Sequence, residues 1–130
     1  MYSRVIACLF LISIIATSCS KTNPDANQVP GKDGFESITA YPTYNGWWLT
    51  SAGKVYIKYN AQSAPTNGVY DDSSFTTIEA GHSAATFNGL GLGNYYLHVS
   101  GTYNGVPVSG GTPYTVQFQT KPQFVQINMH

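Results

Sequence analysis

Charged residues are scarce in this chain, and arginine is almost missing. Asp, Glu, Lys and Arg make up 9% of the 130 residues, and the formal net charge is zero. The one arginine, Arg4, lies in the opening segment. Phosphate and carboxylate groups are usually bound by the arginine fork, and nucleic acid needs a basic protein face. The composition therefore excludes nucleic acid as an expected partner.

Cysteine is equally scarce. The chain has two, Cys8 and Cys19, and none in the remaining residues. Disulfides, thiol catalysis and cysteine-based metal sites are thus excluded from the rest of the chain, whose stability must come from burial. The three histidines, His82, His98 and His130, lack the spacing typical of metal ligands. We expect no metal and no cofactor.

One weak calcium candidate is present. Asp71 and Asp72 are followed by two serines, and Glu79 comes soon after. Calcium takes six to eight oxygen ligands, and this set offers only a few. The simpler interpretation is a polar turn, in which the aspartates accept hydrogen bonds from backbone N–H groups.

The chain has no apolar run long enough to cross a membrane, because its longest spans 12 residues, from Val5 to Ala16, and a helical span needs about 20. Arg4 precedes this run, and small residues lead directly into Cys19. The segment resembles a bacterial lipoprotein signal with its lipobox. An ordinary secretory signal that is cut near the same place is the alternative.

The lipoprotein resemblance implies a layout for the whole chain. Residues 1–18 would be the signal peptide, and Cys19 would carry the lipid that anchors the protein to a membrane of the cell envelope. Ser20, the residue after the lipidated cysteine, favours the outer membrane by analogy, and the periplasmic or surface face stays open. Residues 19–34 are rich in Pro, Gly, Asn, Asp and Lys, and predict a flexible tether. Residues 35–130 then form a single domain.

The domain shows the two-residue period of β-strands rather than a helical period. Turn signals such as Asn-Gly and Gly-Gly separate the alternating segments. This pattern predicts an all-β fold, a single antiparallel two-sheet sandwich of about seven strands that is Ig-like or transthyretin-like. Apolar side chains alternate most clearly in four segments: Val55–Tyr59, Tyr95–Val99, Tyr114–Phe118 and Val125–Met129.

A more specific stretch joins Ala85-Thr-Phe-Asn-Gly-Leu90 to Gly93-Asn-Tyr-Tyr-Leu-His-Val99. It resembles transthyretin-like (prealbumin-like) modules, which include carboxypeptidase regulatory-like domains, and small lipoproteins of Bacteroidetes-type bacteria. The resemblance implies the sandwich fold and no particular activity. We expect the large apolar residues of the stretch, Phe87 among them, to pack between the sheets. Gly89 and Gly93 are expected to permit sharp turns with positive φ.

Aromatic residues supply the functional hint. Trp47 and Trp48 are adjacent, so on a strand they point to opposite faces. An outward row of Tyr56, Tyr96 and one tryptophan would make a flat binding surface for sugar rings or protein partners. The first hypothesis is a non-catalytic module that binds another envelope protein. The alternative is a carbohydrate-binding module, and a hydrolase comes third because no nucleophile motif appears.

Overall fold

The computed structural model describes residues 29–119 and 121–130. These residues form nine strands and no helix. The predicted signal peptide and Cys19 lie outside the described residues. No helix in the described part of the chain is long and apolar enough to cross a membrane. The strands are Glu36–Tyr44 (β1), Trp47–Trp48 (β2), Gly53–Tyr59 (β3), Asp72–Phe75 (β4), Thr77–Glu79 (β5), His82–Leu90 (β6), Gly93–Tyr103 (β7), Val106–Val116 (β8) and Gln123–Met129 (β9).

The strands form two sheets, which confirms the predicted all-β sandwich. The first sheet runs β2-β1-β6-β5, with β9 paired to β1, and the second runs β4-β3-β7-β8. Two strands, β2 and β5, are too short to show alternation in sequence, and they raise the count from about seven to nine. All described pairs are antiparallel except β1 with β9, which is parallel.

The sandwich is closed along one side, where β8 of the second sheet meets β9 of the first. Ser109 and His130 exchange backbone hydrogen bonds, with N···O distances of 3.3 and 3.0 Å. Gly110 makes this approach possible. A Cβ placed on Gly110 would lie 2.0 Å from the carbonyl oxygen of Asn128. The two strands therefore pack backbone to backbone at this point.

The core lies between the sheets and follows the predicted alternation. In β7, Tyr95, Leu97 and Val99 are fully buried, and Phe87 and Leu90 of β6 pack into the same cluster. This confirms that the large apolar residues of the stretch from Ala85 to Val99 lie in the core. The alternation in β8 is shorter than predicted, because the strand ends at Val116 and Phe118 is exposed. Gly89 and Gly93 have the expected positive φ values of 70° and 128°.

The folded part of the chain begins before residue 35, which corrects the predicted tether boundary. Gly31 accepts a hydrogen bond from Gly91 N–H at 2.9 Å, and Gly34 N–H donates to the Gly89 carbonyl at 2.9 Å. The buried hydroxyl of Tyr95 accepts a bond from Gly31 N–H and donates to the Gly91 carbonyl, both at 2.8 Å. Residues 31–34, here called the arm, are thus bound to the β6–β7 turn.

Tyr59, at the end of β3 beside the arm, carries a buried hydroxyl with no hydrogen-bond partner among the described residues. Burial raises the pKa of Tyr59 to about 12, and the carboxylates of Asp72 and Asp71 add to the effect. Between pH 10 and 12 the unfolded chain loses this proton while the folded chain keeps it. Stability should therefore fall as the pH rises through that window.

Tyr59→Phe should stabilise the protein at pH 7 by about 1 kcal/mol, because it removes an unpaired buried hydroxyl. The advantage over the parent chain should widen above pH 10, since the variant has no proton to lose at this site. Urea unfolding at pH 7 and at pH 11 measures both effects. Tyr103→Phe, at a half-exposed tyrosine, is the control. A loss of stability in Tyr59→Phe at pH 7 would show that the hydroxyl has a partner.

Candidate functional site

A continuous row of aromatic rings crosses the outer face of the first sheet. Phe124 of β9 lies 5.8 Å from Tyr41 of β1, measured between ring centroids, and Tyr41 lies 5.6 Å from Trp48 of β2 in an edge-on arrangement. Trp48 in turn lies 5.2 Å from the imidazole of His82 on β6. We call Phe124, Tyr41, Trp48 and His82 the aromatic row. Its members come from four different strands.

The row faces solvent, although its sheet is buried on the other side. Phe124 is 61% exposed and Trp48 is 44% exposed. The direction of Phe124 follows from the two-residue period, because its neighbours Gln123 and Val125 are buried. Exposed aromatic area of this extent on one face is a common mark of a binding surface.

Hydroxyl and amide groups surround the aromatic row. Thr39 and Thr86 share a hydrogen bond of 2.9 Å between their hydroxyls. The Thr43 hydroxyl donates to Asn128 Oδ1 at 2.5 Å and accepts from Gln126 Nε2 at 3.3 Å. None of these side chains is charged. The row is therefore set in neutral groups that can both donate and accept hydrogen bonds.

The two tryptophans separate as expected for neighbours on a strand. Trp48 pairs with Thr43 and joins the aromatic row, whereas Trp47 pairs with Tyr44, whose side chain packs against the core. Trp47 is 75% exposed and lies at the end of the sandwich. Of the two predicted tryptophans, Trp48 therefore belongs to the candidate surface and Trp47 does not.

Tyr56 and Tyr96 lie on the outer face of the second sheet, so the predicted row with a tryptophan is not formed. Tyr56 contacts Tyr70 and His98, with centroid distances of 5.5 and 6.1 Å. The hydroxyl of Tyr96 sits over Gly111, where a Cβ would come within 2.2 Å of it. The prediction failed because alternation tells which side chains point outward but not which sheet a strand joins.

A shallow pocket of about 390 Å³ lies beside Tyr56 on the second sheet. Its wall includes Tyr70, Asp71 and Asp72. Both carboxylates are engaged: Lys58 Nζ lies 3.1 Å from Asp71, and Lys32 Nζ lies 3.2 Å from Asp72. The pocket is thus bordered by ion pairs.

The calcium candidates are not brought together. Asp71 accepts the backbone N–H of Tyr59 at 2.7 Å, and Asp72, the first residue of β4, accepts that of Ser73 at 2.8 Å. Glu79 lies on β5 of the other sheet. In residues 29–119 and 121–130, no three histidine, cysteine or carboxylate side chains are placed to hold a metal ion.

Sequence reasoning missed Tyr41, Phe124 and His82. Alternation around Val125 and Ile127 does place Phe124 on the outer face, so that part of the signal was present in the sequence. The meeting of Phe124 with Tyr41 depends on the parallel pairing of β1 with β9, which pairs Ile38 with Gln123. Nothing local in the sequence indicates that pairing.

No family model, curated protein or solved structure matches this chain. The resemblance to transthyretin-like modules therefore stays a prediction, and the function must be argued from the surface itself.

Proposed function

We propose that this chain is a glycan-binding module that takes a neutral carbohydrate on the aromatic row of the first sheet. The predicted lipid anchor at Cys19 would hold the module on the cell envelope. The observation that carries the proposal is the row itself: four rings from four strands, aligned on one face and framed by amide and hydroxyl groups.

The chemistry of the face fits a sugar. One side of a pyranose ring is lined by C–H groups that pack on aromatic faces, and its hydroxyls exchange hydrogen bonds with groups that donate and accept. Gln126 and Asn128 lie beside Tyr41 and Phe124, and both are exposed. Because binding sites commonly combine apolar surface with a few placed polar groups, the combination favours a polyhydroxylated ligand.

The neutrality of the face favours an uncharged glycan over an acidic one. Lysine and arginine are missing from the described residues of β1, β2, β6 and β9, and an acidic sugar would need such partners. Glu79, which pairs with His82 across the β5 edge, would repel an anion further. Docking of another envelope protein on the same rings is the competing outcome, since aromatic anchors also dominate protein interfaces.

Trp48→Ala should weaken glycan binding by roughly 30-fold or more, the effect of removing a hot-spot side chain. Trp47→Ala is the matched control, because it removes the same side chain from the adjacent position and leaves the row intact. Retention in native gels that contain neutral polysaccharides identifies the ligand, and calorimetry with a matching oligosaccharide measures the affinity.

Three outcomes separate the hypotheses. Loss in Trp48→Ala with retention in Trp47→Ala supports the proposal. Equal glycan binding by both variants would show that the aromatic row is not the binding site. Absence of any glycan retention, together with cross-linking of Trp48 to an envelope protein, would favour the protein-binding alternative instead.

A further inference from the structure

Two matching hairpins meet at one end of the sandwich. Thr43-Tyr-Asn-Gly46 joins β1 to β2, and Thr102-Tyr-Asn-Gly105 joins β7 to β8. The Asn and Gly of each turn have positive φ, 50° and 79° in the first and 51° and 81° in the second. Positive φ at both central residues is the mark of the type I′ turn, which fits the twist of tightly paired strands.

The hairpins belong to different sheets but contact each other. The rings of Tyr44 and Tyr103 lie 4.6 Å apart with 33° between their planes. We call residues 43–47 and 102–107 the twin tip. Tight two-residue turns and this ring contact hold it in one shape, so its exposed side chains need little ordering on binding.

The twin tip presents apolar side chains and no charge. Trp47 is 75% exposed, Val106 is 61% exposed, and Tyr103 is partly exposed beside them. No residue of either hairpin is Asp, Glu, Lys or Arg. The titratable side chain that the β1–β9 pairing brings to this end is His130, which follows Met129 opposite Tyr44.

The twin tip lies at the far end of the molecule from the arm. Strand β7 begins at Gly93, beside the arm, and ends at Tyr103 in the tip. Its 11 residues rise about 3.3 Å each, so the arm and the tip are separated by roughly 35 Å. The 12 residues from Cys19 to Gly31 span at most about 40 Å. That length is enough for the tip to reach the surface to which Cys19 is attached.

We propose that the twin tip inserts into the interfacial region of a neutral lipid bilayer, with the membrane that holds Cys19 as its target. The part concerning the anchor rests on the proposed function. A stable protein interface buries about 800 Å² on each partner. Two aromatic side chains of roughly 150–250 Å² each and one valine fall well short of that area.

A bilayer does not require such an area or a complementary shape. Trp and Tyr concentrate at the level of the lipid headgroups, where their apolar rings and polar edges are both accommodated. Amphipathic surfaces bind there through buried apolar area, with added attraction to anionic lipids only when they are basic. The tip lacks basic residues, so its insertion is expected to be insensitive to salt and to anionic lipid.

Tryptophan fluorescence tests the insertion directly, since the chain has only two tryptophans. Trp48→Phe leaves Trp47 as the sole emitter, and Trp47→Phe leaves Trp48. The full chain of each variant is reconstituted in phosphatidylcholine vesicles that contain brominated acyl chains. Trp47 should shift to shorter wavelength and be quenched several-fold more strongly than Trp48, at low and at high salt alike.

Three separate measurements distinguish insertion of the tip from membrane attachment through the anchor and from glycan binding. Vesicle flotation reports the anchor, and glycan retention of Trp47→Phe reports the aromatic row. Flotation with equal quenching of both tryptophans would overturn the proposal while leaving the anchor standing. In a second experiment, the protein is reconstituted in vesicles without brominated lipid, and brominated vesicles are added separately. Trp47 should then stay unquenched. Quenching by the added vesicles would show that the tip does not insert into the membrane that holds Cys19.

Discussion

Replacing Phe87 by alanine should lower the free energy of unfolding by about 3–5 kcal/mol. Phe87 lies in β6, pairs with Ile38 of β1, and packs between the sheets among fully buried residues. The pairing with β1 and the packed core cluster fix its surroundings, so the site can relax only partly into the space left by the ring. Because no cysteine follows Cys19, no disulfide can compensate for the lost packing. A loss of this size is a large part of the 5–15 kcal/mol by which a domain is typically stable.

Urea denaturation at pH 7 measures the change, with the slope of the transition as a check that the unfolded surface is unaltered. Phe75→Ala is the matched control. Phe75 is exposed on the second sheet, where its ring meets Lys54 Nζ at 4.9 Å, so its loss should change stability by less than about 1 kcal/mol. A loss below 1 kcal/mol in Phe87→Ala would contradict its place in the core.

Gly110→Ala should destabilise the fold by about 3 kcal/mol, an overpacking effect at the upper end of the usual range. The new methyl group would meet the Asn128 carbonyl at 2.0 Å and Met129 Cα at 3.0 Å. Both are backbone atoms, so no side chain can rotate away. The strain must part β8 from β9, where Ser109 and His130 now exchange hydrogen bonds.

Thermal unfolding and amide hydrogen exchange distinguish a local separation of β8 from β9 from a loss of stability in the whole domain. Protection should fall first at the amides of Ser109 and His130, which bridge the two sheets. Ser109→Ala serves as the control, since it changes an exposed side chain one residue away and keeps the backbone bonds. An unchanged melting temperature in Gly110→Ala would mean that β8 and β9 lie further apart than described.

Short-range patterns in this sequence predict most of the strands and their buried faces. The strict alternation of Tyr95, Leu97 and Val99 identifies β7 and its buried face, because side chains on a strand alternate whatever its neighbours are. The short strand β2 lacks such a pattern, since two residues cannot show a period. The arm was missed for a similar reason: a Gly- and Pro-rich segment is typical of a tether, and its order depends on the distant hydroxyl of Tyr95.

The candidate site was only partly predictable. Because Trp47 and Trp48 are adjacent, the sequence predicts that they point to opposite faces, and the outward direction of Tyr56 follows from the alternation in β3. Which of these residues share a face depends on strand order, and strand order is decided by long-range packing. The contact of Phe124 with Tyr41 is of this kind.

The parallel pairing of β1 with β9 also bears on how the chain reaches its final place. Hydrogen bonds between these strands join residues 83 to 87 positions apart, so the first sheet cannot be completed until the last strand is available. Such non-local topology slows folding. A chain still being synthesised would therefore be unable to complete the first sheet. The parallel pairing that builds the aromatic row would in this way also delay the completion of the fold until the last strand has been synthesised.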